Sequence, residues 1–377
     1  PDDLTRVHAF DWDIQFADIM KNGGFDAVIG NPPWGADQPE ENEGYFKRSF
    51  RVAQNNITDS YALFIERAAN LLGKGGRFSY IVPDTFLRKD GYRMLREVFL
   101  NDYVVEEMIE TGPVFSQVRD TWCLIFTLRR EPPSAAAAIT HKKINRFVVA
   151  AEDRLAKFAK SDFDQIGVVR QHYWLKRPNM IVGYLSSPSA QKIVEKIEAR
   201  SRLGELVEQY RISRGEEGSK LNLKRVDASD FRMVIPENVH RYDLSEGMPV
   251  SLRSMTKGKI EGYYSHPKVW IVRIQKMRWP QRIVSVFDCR RNSGAMKTLQ
   301  VIVSTSDSET DLKYLQSILA SRLVNFWCLN YLADDMNQTY LERVPIRQID
   351  KSNRADLARH DKLVELVDKM LALVPKL

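Results

Sequence analysis

Between residues 25 and 128 short apolar runs alternate with segments of helical period, and this alternation limits the fold more than any other feature. Ala27 to Ile29 is a short buried-strand signal that Gly30-Asn31-Pro32-Pro33 stops with a rigid turn. Tyr61, Phe64, Ile65, Ala68, Leu71 and Leu72 then follow the helical period, with Asp59 or Ser60 as the cap. Gly73, Gly75 and Gly76 are expected to end that helix, and Phe78 to Val82 reads as the next strand. A helix over about 90–100 precedes strands at 103–109 and at Trp122 to Leu128. Strands and helices alternating at this spacing need crossover connections. The expected class is α/β, a partial Rossmann-like domain with a mixed, mostly parallel sheet.

After Arg130 the pattern changes. Glu131-Pro132-Pro133-Ser134 and four alanines read as a connector at a domain edge. From about residue 200 the chain turns to short strand-like pieces, including 269–274, 282–286 and 299–303. A long apolar helical pattern runs from Leu312 to Leu332, and an amphipathic helix from about 351 to 374. The expected division is an α/β domain over 1–140, a connector over 141–200, an α+β domain over 201–350 and a helical tail over 351–377.

Composition narrows the class of function. Apolar residues are 44% and charged residues 28% of the 377, as in a folded globular chain rather than a disordered one. No apolar run approaches the ~18 residues that span a bilayer, so no membrane partner is expected. Cys123, Cys289 and Cys328 are too few and too scattered for a disulfide framework, which points to a reducing cytoplasm. The histidines form no ligand-spaced pair, so no metal site is expected. The net charge of +7 is unevenly spread. Arg253, Lys257, Lys259, Lys268, Arg273, Lys276, Arg278, Arg282, Arg290, Arg291 and Lys297 face only Glu261 and Asp288 in the window they span, a local net of +9. Tyr263, Tyr264, Trp270 and Trp279 lie among them, as in a face that binds a polyanion; a solvated basic surface would give the same count.

Asn31-Pro32-Pro33-Trp34 carries the chemistry. By average composition an Asn-Pro-Pro-aromatic string arises by chance roughly once in 10⁵ positions. It resembles the catalytic motif of amino-group DNA methyltransferases, which transfer methyl from S-adenosylmethionine to N6 of adenine. The resemblance implies that the Asn31 side-chain oxygen and the Pro32 carbonyl accept the two N–H hydrogens of the target amine. That favours a tetrahedral nitrogen whose lone pair can attack. Two successive prolines fix φ and hold the acceptors in place, which is preorganisation rather than acid–base work. Trp34, where the family more often has Tyr or Phe, would stack on an adenine swung out of the duplex.

The resemblance extends through Asp59 to Ala68, Leu71 to Pro83 and Glu110-Thr111-Gly112-Pro113-Val114-Phe115, with Phe115 in the place of a second aromatic against the base. Phe10 to Phe16, before Gly24-Phe25-Asp26, is similar to the large type IIG enzymes that fuse restriction and modification. Asp11 is the candidate for the carboxylate that binds the cofactor adenine. Arg211 to Gly215 with Gly218, Val239 to Tyr242, Lys268 to Ile271, Tyr314 to Leu323 and Leu341 to Ile346 resemble a DNA target-recognition domain. The partner implied is double-stranded DNA, gripped by the basic residues of 253–297.

The thirty residues before Asn31 contain no glycine-rich strand-turn for the cofactor, and residue 1 is not methionine. The expectation is a cofactor-binding half, and any nuclease, N-terminal to this chain, which alone would be inactive; a degenerate relative is the other explanation. A specificity module without catalysis, and a methyltransferase of glutamine or RNA amines, stay open as alternatives.

Overall fold

A computed structural model describes residues 10–35, 40–54, 59–115, 121–145, 150–184, 187–217, 229–273, 281–332 and 335–374. The chain divides into two compact units, 1–191 and 192–377. Among the described residues no helix is long and apolar enough to cross a membrane.

The first unit is built on a six-stranded sheet. A short helix α1 (Trp12–Gln15) precedes β1 (Phe25–Gly30). Then come α2 (Ser60–Leu71), β2 (Leu72–Pro83), α3 (Arg93–Asn101), β3 (Val104–Gly112), β4 (Cys123–Arg129), β5 (Ala138–Lys143), α4 (Ala151–Ala159) and β6 (Gln165–Arg170). The spatial order is β1-β2-β4-β3-β5-β6. β1, β2, β3 and β5 run one way, with β4 and β6 against them, so the sheet is mixed and mostly parallel. β4 reverses because the connection from β3 is too short for a crossover helix, and a short link between paired strands makes a hairpin. The glycines expected to stop α2 lie inside β2, in a stretch that bulges out of the β1 register. Phe78, Phe86, Phe99 and Phe126 pack edge to face at 5.0–5.5 Å in the core beneath. Such pairs contribute about 0.5–1.5 kcal/mol each beyond their buried area.

The expected connector over 141–200 is corrected. β5 and β6 complete the sheet, and the first unit runs to residue 191. β5 reads as polar because its inward positions include His141, which is buried against a carboxylate.

The second unit holds a four-stranded antiparallel sheet of β7 (Tyr210–Arg214), β8 (Lys268–Val272), β9 (Ser285–Asp288) and β10 (Leu299–Ser304), in the order β9-β8-β10-β7. Every residue of β8, β9 and β10 is buried. α5 (Glu309–Leu319) packs on this sheet: Gln316 donates to the Ser285 carbonyl at 3.2 Å and accepts from the Phe287 N–H at 3.0 Å. The long helix expected over 312–332 is two helices, α5 and α6 (Arg322–Tyr331), because the Ser321 hydroxyl caps a new start at the Val324 N–H. The strand expected from Arg282 begins only at Ser285, since the Arg282 N–H is taken by the Asn325 side chain at 2.6 Å. The tail forms α7 (Arg354–Leu373), capped by Asn353.

Candidate active site

Asn31 leaves the sheet at the C-terminal end of β1. Parallel pairing sets Gly30 beside Tyr80, and a Cβ on Gly30 would lie 3.0 Å from the Tyr80 ring. Only glycine fits there without displacing that ring, so the strand approaches closely and hands Asn31 to the open end. In α/β sheets that end is where ligands bind. Asn31 and Pro33 are exposed, Pro32 is buried and Trp34 is half-buried. Neither the Asn31 amide nor the Pro32 carbonyl is hydrogen-bonded to another described residue. The loop is held from elsewhere. Ser60 Oγ donates to the Pro33 carbonyl at 2.7 Å, and Asp59 Oδ1 accepts the Gly35 N–H at 3.2 Å.

Phe115, expected against a target base, lies edge-on to Trp34 with ring centroids 5.3 Å apart at 74°. Trp34 Nε1 is buried and has no acceptor among the described residues. β3 carries Phe115 to this place through a bulge between Glu110 and Gly112. Gly112 has φ +74°, a backbone that favours glycine, and the Arg154 guanidinium fills the place a Cβ would take. Arg154 donates to the Thr111 carbonyl at 2.7 Å and lies over the Trp122 ring.

Beneath the bulge is a buried ionic cluster. Arg88 donates to Asp84 at 2.7 Å and to both oxygens of Glu110 at 3.1 Å. Lys143 Nζ is 2.9 Å, and His141 Nε2 2.8 Å, from the Glu110 carboxylate, which is 1% exposed. Burial alone would raise the Glu110 carboxyl, but Lys143, Arg88 and His141 together hold it well below the usual carboxylate range. Asp84 is itself fixed to the start of β4, its N–H donating to the Trp122 carbonyl at 2.9 Å.

Asp11 does something other than await a ligand: its Oδ1 accepts the N–H groups of Asp13 and Ile14 and caps α1. Among the described residues β1 is the sheet's edge strand, with Ile29 87% exposed. Sequence reasoning missed Asp84, Arg88, Glu110 and Arg154 as supports of the loop that carries Phe115. Their partners lie on separate strands and helices, so no spacing announces them. Among the described residues no group of three or more His, Cys, Asp or Glu is placed to hold a metal ion.

The basic run of the second unit is less free than its sequence suggests. Lys268 and Arg282 are each 0% exposed and cannot reach a phosphate, which corrects their assignment. Lys268 Nζ donates to the Arg290 carbonyl and Ser293 Oγ, and burial pushes it down to about 8 against the pull of Asp288. Arg273 makes a two-point pair with Asp335 at 2.6 and 2.7 Å, and Arg290 one with Asp288. Lys259 is held by the carbonyls of Arg214 and Gly215. Arg253, Lys257, Arg291 and Lys297 are exposed, the last three near Glu261, Asp307 and Glu217 respectively. Lys276, Arg278, Trp279 and Gly218 lie outside the described residues.

Residues 2–115 match the family described as Eco57I restriction-modification methylase. The part of the first unit that carries Asn31 to Phe115 is thus similar to a restriction-modification methylase. The chain is 25% identical over 356 residues to RM.MjaORFECS2P of Methanocaldococcus jannaschii, described as a type II restriction enzyme and methyltransferase. That alignment covers 91% of this chain and 29% of the relative. It is 30% identical over 133 residues to the type II restriction enzyme and methyltransferase RM.Eco57I of Escherichia coli, covering 33% of this chain and 12% of that one. The chain thus spans less than a third of the length of either relative. Among solved structures, the cryo-electron-microscopy structure of a DrdV–DNA complex superposes on 96% of this chain and 45% of the DrdV chain. Its TM-score is 0.50 at 10% identity, which is likeness of fold.

Proposed function

We propose that this chain is part of a methyltransferase that modifies N6 of adenine in double-stranded DNA, at a specific site, as part of a restriction–modification system. The observation that carries the reading is the open corner at Asn31. Two oxygen acceptors, the Asn31 amide and the Pro32 carbonyl, are free of bonds to described residues and lie at the ligand-binding end of the sheet. An exocyclic amine has two N–H donors to give them. Once both are bound in a tetrahedral arrangement, its lone pair is withdrawn from conjugation with the ring, and it becomes a nucleophile. The half-buried Trp34 and neighbouring Phe115 offer ring surfaces to a base taken out of the stack.

S-adenosylmethionine is the donor this reading requires, and when bound it supplies an electrophilic methyl group. The described residues do not complete its site: Asp11 spends one oxygen on the α1 cap, and β1 is an edge strand. The reading therefore assigns the cofactor loop, and any nuclease, to other segments, and the 377 residues alone transfer no methyl group. In the second unit the reading assigns contacts with DNA phosphates to Arg253, Lys257, Arg291 and Lys297, which are exposed.

The test is Asn31→Ala in the protein that contains this chain. Methyl transfer to duplex DNA should vanish while specific DNA binding stays nearly unchanged. Retained turnover would remove Asn31 from the mechanism. The commitment of Asp11 to a helix cap favours a second reading, a DNA-specificity module without catalysis. Specific DNA binding with no methyl transfer by the unaltered protein would select it.

A further inference from the structure

Asp59 occupies the N-cap position of α2, yet its side chain caps nothing. It turns back on the Asn31–Trp34 loop instead. Oδ1 accepts the Gly35 N–H at 3.2 Å, and Oδ2 accepts the Tyr92 hydroxyl at 2.8 Å. The next residue, Ser60, is 1% exposed and donates its hydroxyl to the Pro33 carbonyl at 2.7 Å. The backbone is thus gripped on both sides of Trp34 by two consecutive residues. The grip has a strut. Tyr92 stacks on Tyr61 of α2 with centroids 5.7 Å apart, and burial, with the Asp59 charge beside it, raises the Tyr92 hydroxyl so that it stays a donor. Arg96 of α3 holds the segment leading to Tyr92 through the Lys89 carbonyl at 2.7 Å.

A helix that leaves its first N–H groups to solvent is less stable than a capped one. Here the residue best able to cap is engaged elsewhere, on a loop whose prolines already stiffen it. Prolines fix φ at two positions but say nothing about Gly35 or about ψ at Pro33. From these contacts we infer that Asp59 and Ser60, braced by Tyr92, are positioning residues that fix Trp34 and the acceptor pair before it. The inference rests on the reading of this corner as the methyl-transfer site.

The experiment uses two readouts. In the 377-residue chain labelled with 5-fluorotryptophan, the ¹⁹F line of Trp34 is the one lost in Trp34→Phe. Asp59→Ala should shift or broaden that line and leave those of Trp122 and Trp174 in place, while Asp59→Asn, which keeps an acceptor for Gly35, should largely restore it. In the full-length enzyme Asp59→Ala should lower kcat about 10²-fold with KM for DNA nearly unchanged, as expected for a displacement near 1 Å at a reacting site. Tyr92→Phe, which removes only the strut, should give a smaller loss of the same kind. A Trp34 line unmoved in Asp59→Ala overturns the clamp. A line that moves with kcat within twofold of the parent overturns its role in positioning. If the unaltered enzyme transfers no methyl group, the functional reading falls, and the ¹⁹F lines still decide whether the clamp exists.

Discussion

Glu110→Gln isolates the electrostatics that support the Phe115 loop. The substitution keeps the shape, removes the charge and turns an amide N–H₂ toward donors. In the parent, a carboxylate that is 1% exposed meets Arg88, Lys143 and His141 within 3.1 Å. Removing one partner of such a buried pair costs about 3–5 kcal/mol, because the opposite charges stay buried without compensation. For a unit of this size each kcal/mol lowers Tm by roughly 2–4 °C, so the first unit's transition should fall by about 6–20 °C. The pH dependence follows from the sign of the shift. Glu110 is held well below the usual carboxylate range in the folded state, so its contribution is present above the unfolded glutamate value near ~4.3 and is lost as pH falls toward the lower folded value. Scanning calorimetry of parent and variant should therefore show the widest gap in Tm near neutral pH, closing steadily in acid. A gap under about 3 °C at neutral pH, or one that does not close below about pH 4, refutes the claim that these charges stabilise the loop.

Two further predictions concern binding. Phe115→Ala should lower kcat/KM for methyl transfer by roughly 5- to 150-fold, the range for losing one stacking surface of about 1–3 kcal/mol, and Phe115→Tyr should retain most activity; equal rates would leave Phe115 a packing residue for Trp34. Replacing Arg253, Lys257, Arg291 or Lys297 by Gln should each reduce the slope of log affinity against log salt by up to about 0.9 in fluorescence anisotropy with duplex DNA. Lys268→Met should alter unfolding of the second unit and leave that slope alone, and a flattened slope would contradict the burial of Lys268.

The sequence by itself determined the α/β alternation, the diproline corner and the aromatic after it. Each is a local property: proline fixes its own φ, and strand and helix periods are written in neighbouring residues. Tertiary structure decided what those residues face. The local charge of +9 between Arg253 and Lys297 is met in part by Glu217, Asp307 and Asp335, none of which lies in that stretch. Asp59 reads as a helix cap because its neighbours make it one, and it becomes a loop clamp because Gly35, 24 residues away, is folded against it. Residues 141–191 read as a connector until β3 and β5 pair and bury His141 on Glu110. Coulomb energy and hydrogen bonding depend on distance in space, and a window along the chain records only distance in sequence.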